Sequence, residues 1–363
     1  MVRHVFCRLA LFATVWLAWQ RCATAEPAWW TLEATVGNQR YVGYPLRADE
    51  SQVALILQNG RMVEFAPAKV TDFKKVSSTF RPISAGEMRS QLLTDLPRSM
   101  EVTGTSHYVV AHPKGLGKEW AERFEELYRS MSHYFLVRGF TLEAPRFPLA
   151  AVVWENQSEF MRNAQAEGAA ISSGVIGYYS LISNRVSLFD MSAGQHDPEA
   201  WRQNAATIVH EAAHQTAFNT GIHTRFAATP TWVIEGLGTM FEPRGVWDAR
   251  RYPNLADRVN RDRFTYFRKY LKQGRPPAGY LLVVGDDRLF RVNPLAAYAE
   301  AWALSFYLSE TQPKKYGQFL KKMSALEPFT PYTQENRLRD FAQIFGSNSR
   351  QFEAEYLRFI EGL

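Results

Sequence analysis

The feature that most constrains this chain is a pair of histidines one helical turn apart, His210 and His214, with Glu211 between them. Residues at i and i+4 share one face of a helix, so both imidazoles can reach one metal ion and Glu211 points near the same site. Apolar residues surround the motif from Ala205 to Ala213, which disfavours the alternative of an exposed helix with an ordinary polar face. Because burying unpaired polar groups is costly, such a helix favours a bound metal ion.

A second helix offers a third ligand. Thr229-Pro230 predicts a helix start, with the threonine as cap and the proline in the first helical position. Glu235 falls in the second turn of this helix, and twenty residues separate it from His214, enough for a loop and a return. Gly236 and Gly238 lack side chains, so we expect the two helices to approach each other closely.

The two motifs, His210-Glu-Ala-Ala-His214 and Trp232-Val-Ile-Glu235-Gly-Leu, resemble the pattern of gluzincin metallopeptidases. The segment 204–241 is similar to a family of exported, largely uncharacterised bacterial proteins with this pattern, and the resemblance covers most of the chain from about residue 105. It implies a zincin-like fold, a twisted sheet with an edge strand above the active-site helix. It also implies one zinc ion (Zn²⁺) per chain, held by His210, His214 and Glu235, with Glu211 as the catalytic carboxylate.

Other ligand sets were weighed from the residues themselves. A metzincin needs a glycine three residues and a histidine six residues after the second histidine, but Ala217 and Thr220 stand there. His223 is an alternative ligand in the loop that follows this helix. Glu242, at the end of the second helix, is less well placed than Glu235.

Further residues are candidates for catalysis and substrate binding. Tyr298 is the candidate donor to the oxyanion of the transition state, and the alternative is that it only packs in a helix with Trp302 and Phe306. Glu300 is interpreted as a solvated helix charge rather than a residue that supports a ligand. Arg185–Phe189 is either an edge strand that binds an extended peptide by strand addition or an ordinary structural strand.

The order of elements predicts an α+β protein with two folded regions. Residues 26–83 read as a small all-β, SH3-like barrel, in which Asn59-Gly60 joins two strand-like runs in a hairpin. Residues 84–104 form the predicted linker, with a short helix that begins near Ser84 and ends before Pro97. Residues 105–363 form the zincin-like domain, with strands first and mostly helices after Asp190.

The first 25 residues are typical of an export signal. Arg3 and Arg8 precede an apolar run that is short for a membrane span, and Ala23-Thr24-Ala25 fits a cleavage site. A retained anchor is the alternative. Both cysteines, Cys7 and Cys22, lie in this segment, so the mature chain would lack disulfides and thiolate ligands. The expected location is secreted or periplasmic, and zinc must be held by nitrogen and oxygen.

Charge excludes one class of partner. The formal net charge is +6, and loss of three arginines with the signal leaves +3, which is too small for a nucleic-acid-binding surface. No later segment predicts a membrane span. The expected partner is a peptide or protein substrate, with a contact to envelope polymers through the β module as a further expectation.

Together these patterns predict an exported zinc-dependent peptidase that uses zinc-activated water and Glu211 as general base. Two alternatives stay open. One is a non-catalytic, envelope-binding protein with a structural zinc site, and the other is a zinc amidase that acts on cell-wall material.

Overall fold

A computed structural model describes residues 29–115, 117–192 and 198–363, so the predicted signal peptide and both cysteines lie outside the described residues. The chain divides into two compact units. The first contains residues up to 88 and the turn 181–184, and the second contains residues 89–180 and 185–363. An all-β first unit and a second unit of strands followed by helices confirm the α+β class.

The first unit is a five-stranded antiparallel sheet in the order β4-β3-β2-β1-β5. Leu32, Ala34, Val53 and Leu55 form its buried core. The predicted hairpin is confirmed, because β3 and β4 pair on either side of Gly60, whose φ of +82° suits a residue without a Cβ. The strands are β1 (Thr31–Val36), β2 (Gln39–Ala48), β3 (Val53–Leu57), β4 (Met62–Phe65) and β5 (Val70–Ser77).

The second unit contains a mixed sheet in the order β6-β7-β8-β10-β9. Strands β7, β8 and β10 run parallel, and the two edge strands β6 and β9 are antiparallel to their neighbours. The strands are β6 (Met100–Gly104), β7 (Tyr108–Pro113), β8 (Leu149–Trp154), β9 (Gly177–Ser180) and β10 (Arg185–Phe189).

The sheet order decides between the two interpretations of Arg185–Phe189. This segment is a structural strand inside the sheet and not an edge strand, because it lies between β8 and β9, and the edge is the shorter strand before it. Every residue of β8 is buried, as expected for a strand covered on both faces. The order of the neighbouring strands depends on which strands pair, and the alternation of apolar and polar residues within one strand does not reveal this. The predicted linker also contains a strand of this sheet, β6, besides its helix.

Thirteen helices are found in the described ranges, apart from two short 3-10 turns. The first begins as predicted, since Ser84 and Glu87 exchange the hydrogen bonds of a capping box, and it ends before Pro97. The helices are α1 (Ala85–Asp95), α2 (Gly117–Leu136), α3 (Gln157–Ala166), α4 (Pro198–Asn219), α5 (Thr231–Phe241), α6 (Arg244–Trp247), α7 (Arg261–Lys272), α8 (Leu281–Gly285), α9 (Arg288–Val292), α10 (Pro294–Thr311), α11 (Pro313–Ser324), α12 (Gln334–Phe345) and α13 (Ser349–Glu361).

Helix α4 lies at the centre of the second unit. It packs against α2, α5 and the strands β9 and β10, and α5 packs in turn against α10. Its apolar face, which includes Ile208, Ala212 and Ala213, is fully buried, as the sequence predicts. Among the described residues, no helix is both long enough and apolar enough to cross a membrane.

Candidate metal centre

The structure brings His210, His214 and Glu235 together. The Nε2 atoms of the two histidines, one turn apart on α4, lie 3.0 Å from each other. The Oε2 atom of Glu235, on α5, lies 3.5 Å from Nε2 of His210 and 3.6 Å from Nε2 of His214. Three potential ligand atoms from two helices therefore converge on one point.

These distances fit a tetrahedral metal ion. Two atoms bonded to zinc at about 2.0–2.1 Å lie about 3.4 Å apart in tetrahedral geometry. The Oε2 atom of Glu235 is buried, faces the two imidazoles and has no hydrogen-bond partner among the described residues. Burial by itself would raise the pKa of Glu235, but His214 and His210 hold it well below its ordinary value. Two imidazole nitrogens and one ionised carboxylate oxygen are a typical zinc donor set.

The close approach of α4 and α5 depends on Gly238. A Cβ atom at this position would lie 2.8 Å from Cε1 of His214 and 3.0 Å from Cε1 of His210. Gly236 has a different role from the one predicted, because it faces α10. Its Cβ would lie 2.5 Å from the carbonyl oxygen of Ala301. Gly238 therefore allows α5 to approach the two histidines on α4, whereas Gly236 allows α5 to approach α10.

Helix α5 does not begin as the sequence predicted. Thr229 is not its cap, since the N-cap is Pro230, whose side chain has no hydrogen-bonding group. Instead Oδ1 of Asp287 accepts the backbone N–H of Thr231 at 3.0 Å, and Oδ2 of Asp287 pairs with Arg337 at 3.0 Å. A carboxylate from a distant segment thus satisfies the helix start and suits its dipole. This contact was missed because 56 residues separate its partners.

A second carboxylate orients His210. Oε1 of Glu242 lies 2.9 Å from Nδ1 of His210, and Nδ2 of Asn260 donates to the other oxygen of Glu242 at 2.6 Å. When Nδ1 donates its proton to Glu242, Nε2 keeps its lone pair for a metal ion. Burial would lower the pKa of His210, but the carboxylates of Glu235 and Glu242 raise it well above its ordinary value.

Glu242 is therefore placed to support a ligand rather than to be one. The signal was present in the sequence: Glu242 follows Glu235 by seven residues, two helical turns, and so shares its face of the helix. Asn260 gave no such signal, because it reaches the site from the cap of α7.

Glu211 and Tyr298 both lie near the convergence point. Glu211 is half-buried, and its carboxylate accepts no hydrogen bond from any described residue. Tyr298, on α10, lies close enough to Glu235 for the two groups to interact electrostatically. Burial and then the charge of Glu235 raise the pKa of Tyr298, so its hydroxyl keeps a proton to donate. The alternative packing was not observed, because Tyr298 contacts Phe290, whereas Trp302 stacks with Phe306.

Two other residues have structural roles. His223 lies outside the ligand cluster, and Nδ1 of its buried ring bonds to the carbonyl oxygen of Ile222 at 3.0 Å. Burial lowers the pKa of His223 to about 3. The sequence predicted that Glu300 is a solvated helix charge, and this prediction was wrong. It is completely buried, and Arg275 binds both its carboxylate oxygens, at 2.6 and 2.8 Å. The sequence does not show that Glu300 is a buried ion-pair partner, because Arg275 lies 25 residues away in the chain.

Comparison with known proteins gives one family and a group of solved structures. Residues 204–330, about a third of the chain, match a family described as a protein of unknown function (DUF1570). No curated protein sequence matches the chain.

The structure is similar to that of an M1 zinc metallopeptidase from Deinococcus radiodurans, with 13% identity and a TM-score of 0.40 over 71% of this chain and 51% of the other. It is also similar to a two-domain M1 zinc metallopeptidase variant bound to L-arginine, with 15% identity and a TM-score of 0.39 over 72% and 51%. The chain thus spans about half the length of these structures.

Proposed function

We propose that this protein is a zinc-dependent hydrolase that cleaves peptide bonds. The observation that carries the proposal is the convergence of His210, His214 and Glu235 within 4.8 Å, beside a carboxylate on the helix of the two histidines that accepts no hydrogen bond from any described residue. A purely structural site would have no use for that extra carboxylate, Glu211, whereas water activation requires one.

Each residue has a separate task. A zinc ion bound there would polarise the substrate carbonyl and lower the pKa of a water molecule. Glu211 accepts a proton from the attacking water and returns it to the leaving amine. Tyr298 donates a hydrogen bond to the oxygen on which negative charge develops. Glu242 and Asn260 hold His210 in the orientation that the site needs.

The short edge strand β9 is the proposed surface for an extended substrate. Within the described part of the chain it is the edge strand next to β10, and it packs against α4, the helix that carries His210 and His214. Strand β9 thus takes the role that the sequence analysis considered for β10, and the proposed mode of binding, addition of the peptide as a further strand, is the same.

Two substitutions test the proposal. Glu211→Gln should keep about one zinc per chain, measured by elemental mass spectrometry, and should lose about a hundredfold or more of the hydrolytic rate on a peptide library. Glu235→Gln should lose the zinc itself. The exposed Glu327→Gln serves as matched control and should change neither. Unchanged turnover in the Glu211 variant would remove the catalytic proposal and leave a zinc-binding protein.

A further inference from the structure

The guanidinium of Arg263 lies near the candidate metal centre. It lies on α7, half-buried, with Cζ 5.1 Å from the ring centre of Tyr298. Its Nε is buried and has no hydrogen-bond partner, and within the described part of the chain it forms no ion pair.

Three other arginines of this unit are paired with carboxylates. Arg275 is bound by Glu300 and Glu353, and both Arg138 and Arg258 pair with Glu310. A buried cation without such a partner is costly. Arg263 differs from these three arginines because no described carboxylate forms an ion pair with it.

The backbone of Arg263 is tied to the metal centre. Its N–H donates to Oδ1 of Asn260 at 3.2 Å, and the same Asn260 side chain donates to Glu242, the residue that orients His210. On its other side the guanidinium lies over the ring of Tyr298, whose hydroxyl interacts electrostatically with Glu235. Burial would raise the pKa of Glu242, but His210 and then the cationic charge of Arg263 lower it. These contacts fix the cation beside the reaction centre.

We propose that Arg263 binds a carboxylate of the substrate close to the scissile bond, so that the preferred substrates are peptides with an anionic group at that point. The planar fork of N–H donors on a guanidinium matches the two oxygens of a carboxylate. The carboxylate is either the C-terminal α-carboxylate of a short peptide or an aspartate or glutamate side chain. The inference rests on the proposed hydrolase function, because it places the carboxylate beside the bond that Glu211 and Tyr298 act on.

Binding without turnover tests it. The zinc-loaded Glu211→Gln protein is titrated by calorimetry with three probes: acetyl-trialanine as free acid, the same peptide as its amide, and acetyl-Ala-Ala-Asp-amide. We expect one or both acidic probes to bind about tenfold to a hundredfold more tightly than the neutral amide, the range of a charge-assisted hydrogen-bonded pair. Tight binding of the free acid identifies the α-carboxylate, and tight binding of the aspartyl amide identifies the side chain.

Variants at position 263 assign the preference. Arg263→Met should abolish the difference between acidic and neutral probes, and Arg263→Lys should keep part of it. Arg268→Met removes an exposed arginine from the same helix and should keep all of it. Zinc content and thermal midpoint equal to those of the Arg268 variant would show that Arg263→Met is folded.

The two proposals fail separately. Equal binding of acidic and neutral probes, or a preference that survives Arg263→Met, overturns the carboxylate site even if the protein hydrolyses peptides. A preference that depends on Arg263 in a protein without hydrolytic activity overturns the peptidase proposal and supports the site.

Discussion

Replacing Gly238 with alanine separates the geometry of the metal centre from the stability of the fold. The new Cβ would lie 2.8 Å from Cε1 of His214 and 3.0 Å from Cε1 of His210, whereas carbon atoms in contact prefer about 3.5–4.0 Å. The two rings must therefore retreat by about 0.5–1 Å. Ring tips move at little cost to folding, but metal sites tolerate only about 0.2 Å in ligand distance.

The expected result is a variant that folds well and binds zinc poorly. Alanine is favoured over glycine inside a helix by about 0.5–1 kcal/mol, so metal-free stability should hold or rise slightly. Displacing the ligands should weaken zinc binding by about tenfold to a hundredfold, or about 1.4–2.8 kcal/mol. Competition with a chromophoric chelator measures this affinity, and thermal melts of the metal-free and zinc-loaded protein measure the stability.

Gly236→Ala is the matched control, two positions away on the same helix. Its Cβ would meet the backbone oxygen of Ala301 at 2.5 Å, and backbone does not move aside as a ring tip does. We expect this variant to lose about 1–3 kcal/mol of stability through overpacking, with or without zinc. If Gly238→Ala instead binds zinc within threefold of the wild-type affinity, the contact between Gly238 and the two imidazoles does not position the ligands, and the reasoning is wrong.

Three further predictions follow from charges around and behind the site. Glu242→Gln should weaken zinc binding about tenfold to a hundredfold in chelator competition, because the amide orients His210 less strongly, and an unchanged affinity would exclude Glu242 from this role. Zinc affinity should rise with pH through neutrality, by about tenfold per unit for each displaced proton, because the raised pKa keeps metal-free His210 protonated. A pH-independent affinity would contradict that protonation state. Arg275→Met should cost about 3–5 kcal/mol in denaturant unfolding, because Glu300 is left buried and unpaired. The loss should be smaller at pH 5 than at pH 8, because burial already raises the pKa of Glu300 and the orphaned carboxyl can then take up a proton.

The parts of the structure that local patterns determine were predictable. The apolar surroundings of His210 and His214 indicated a buried helix, and Asn59-Gly60 indicated a hairpin, because both signals lie within a few residues of the feature they describe. The convergence of Glu235 on the two histidines could be proposed because helix periodicity and a twenty-residue spacing limit where a third ligand can stand.

The parts that depend on pairing across long separations were not predictable. The sequence alone predicts that Glu300 is a surface charge, because its partner Arg275 is distant in the chain. It likewise predicts Thr229 as the helix cap, because Asp287, which accepts the first backbone N–H of the helix, is distant too. The position of β10 inside the sheet depends on which strands pair, and periodicity is the same for an edge and a central strand that are both buried. In each case the missing information is the identity of a distant partner, which a single sequence does not encode locally.

The start of α5 is capped by a residue from a distant segment, which affects when the candidate metal site is complete during synthesis. The start of the helix that carries Glu235 is held by Asp287, and Asp287 is held by Arg337 on α12. During synthesis the three ligand residues therefore emerge about a hundred residues before the arginine that secures their support. A metal ion that met the growing chain would find an incomplete site, so we expect the ion to bind after nearly the whole chain has been synthesised and folded.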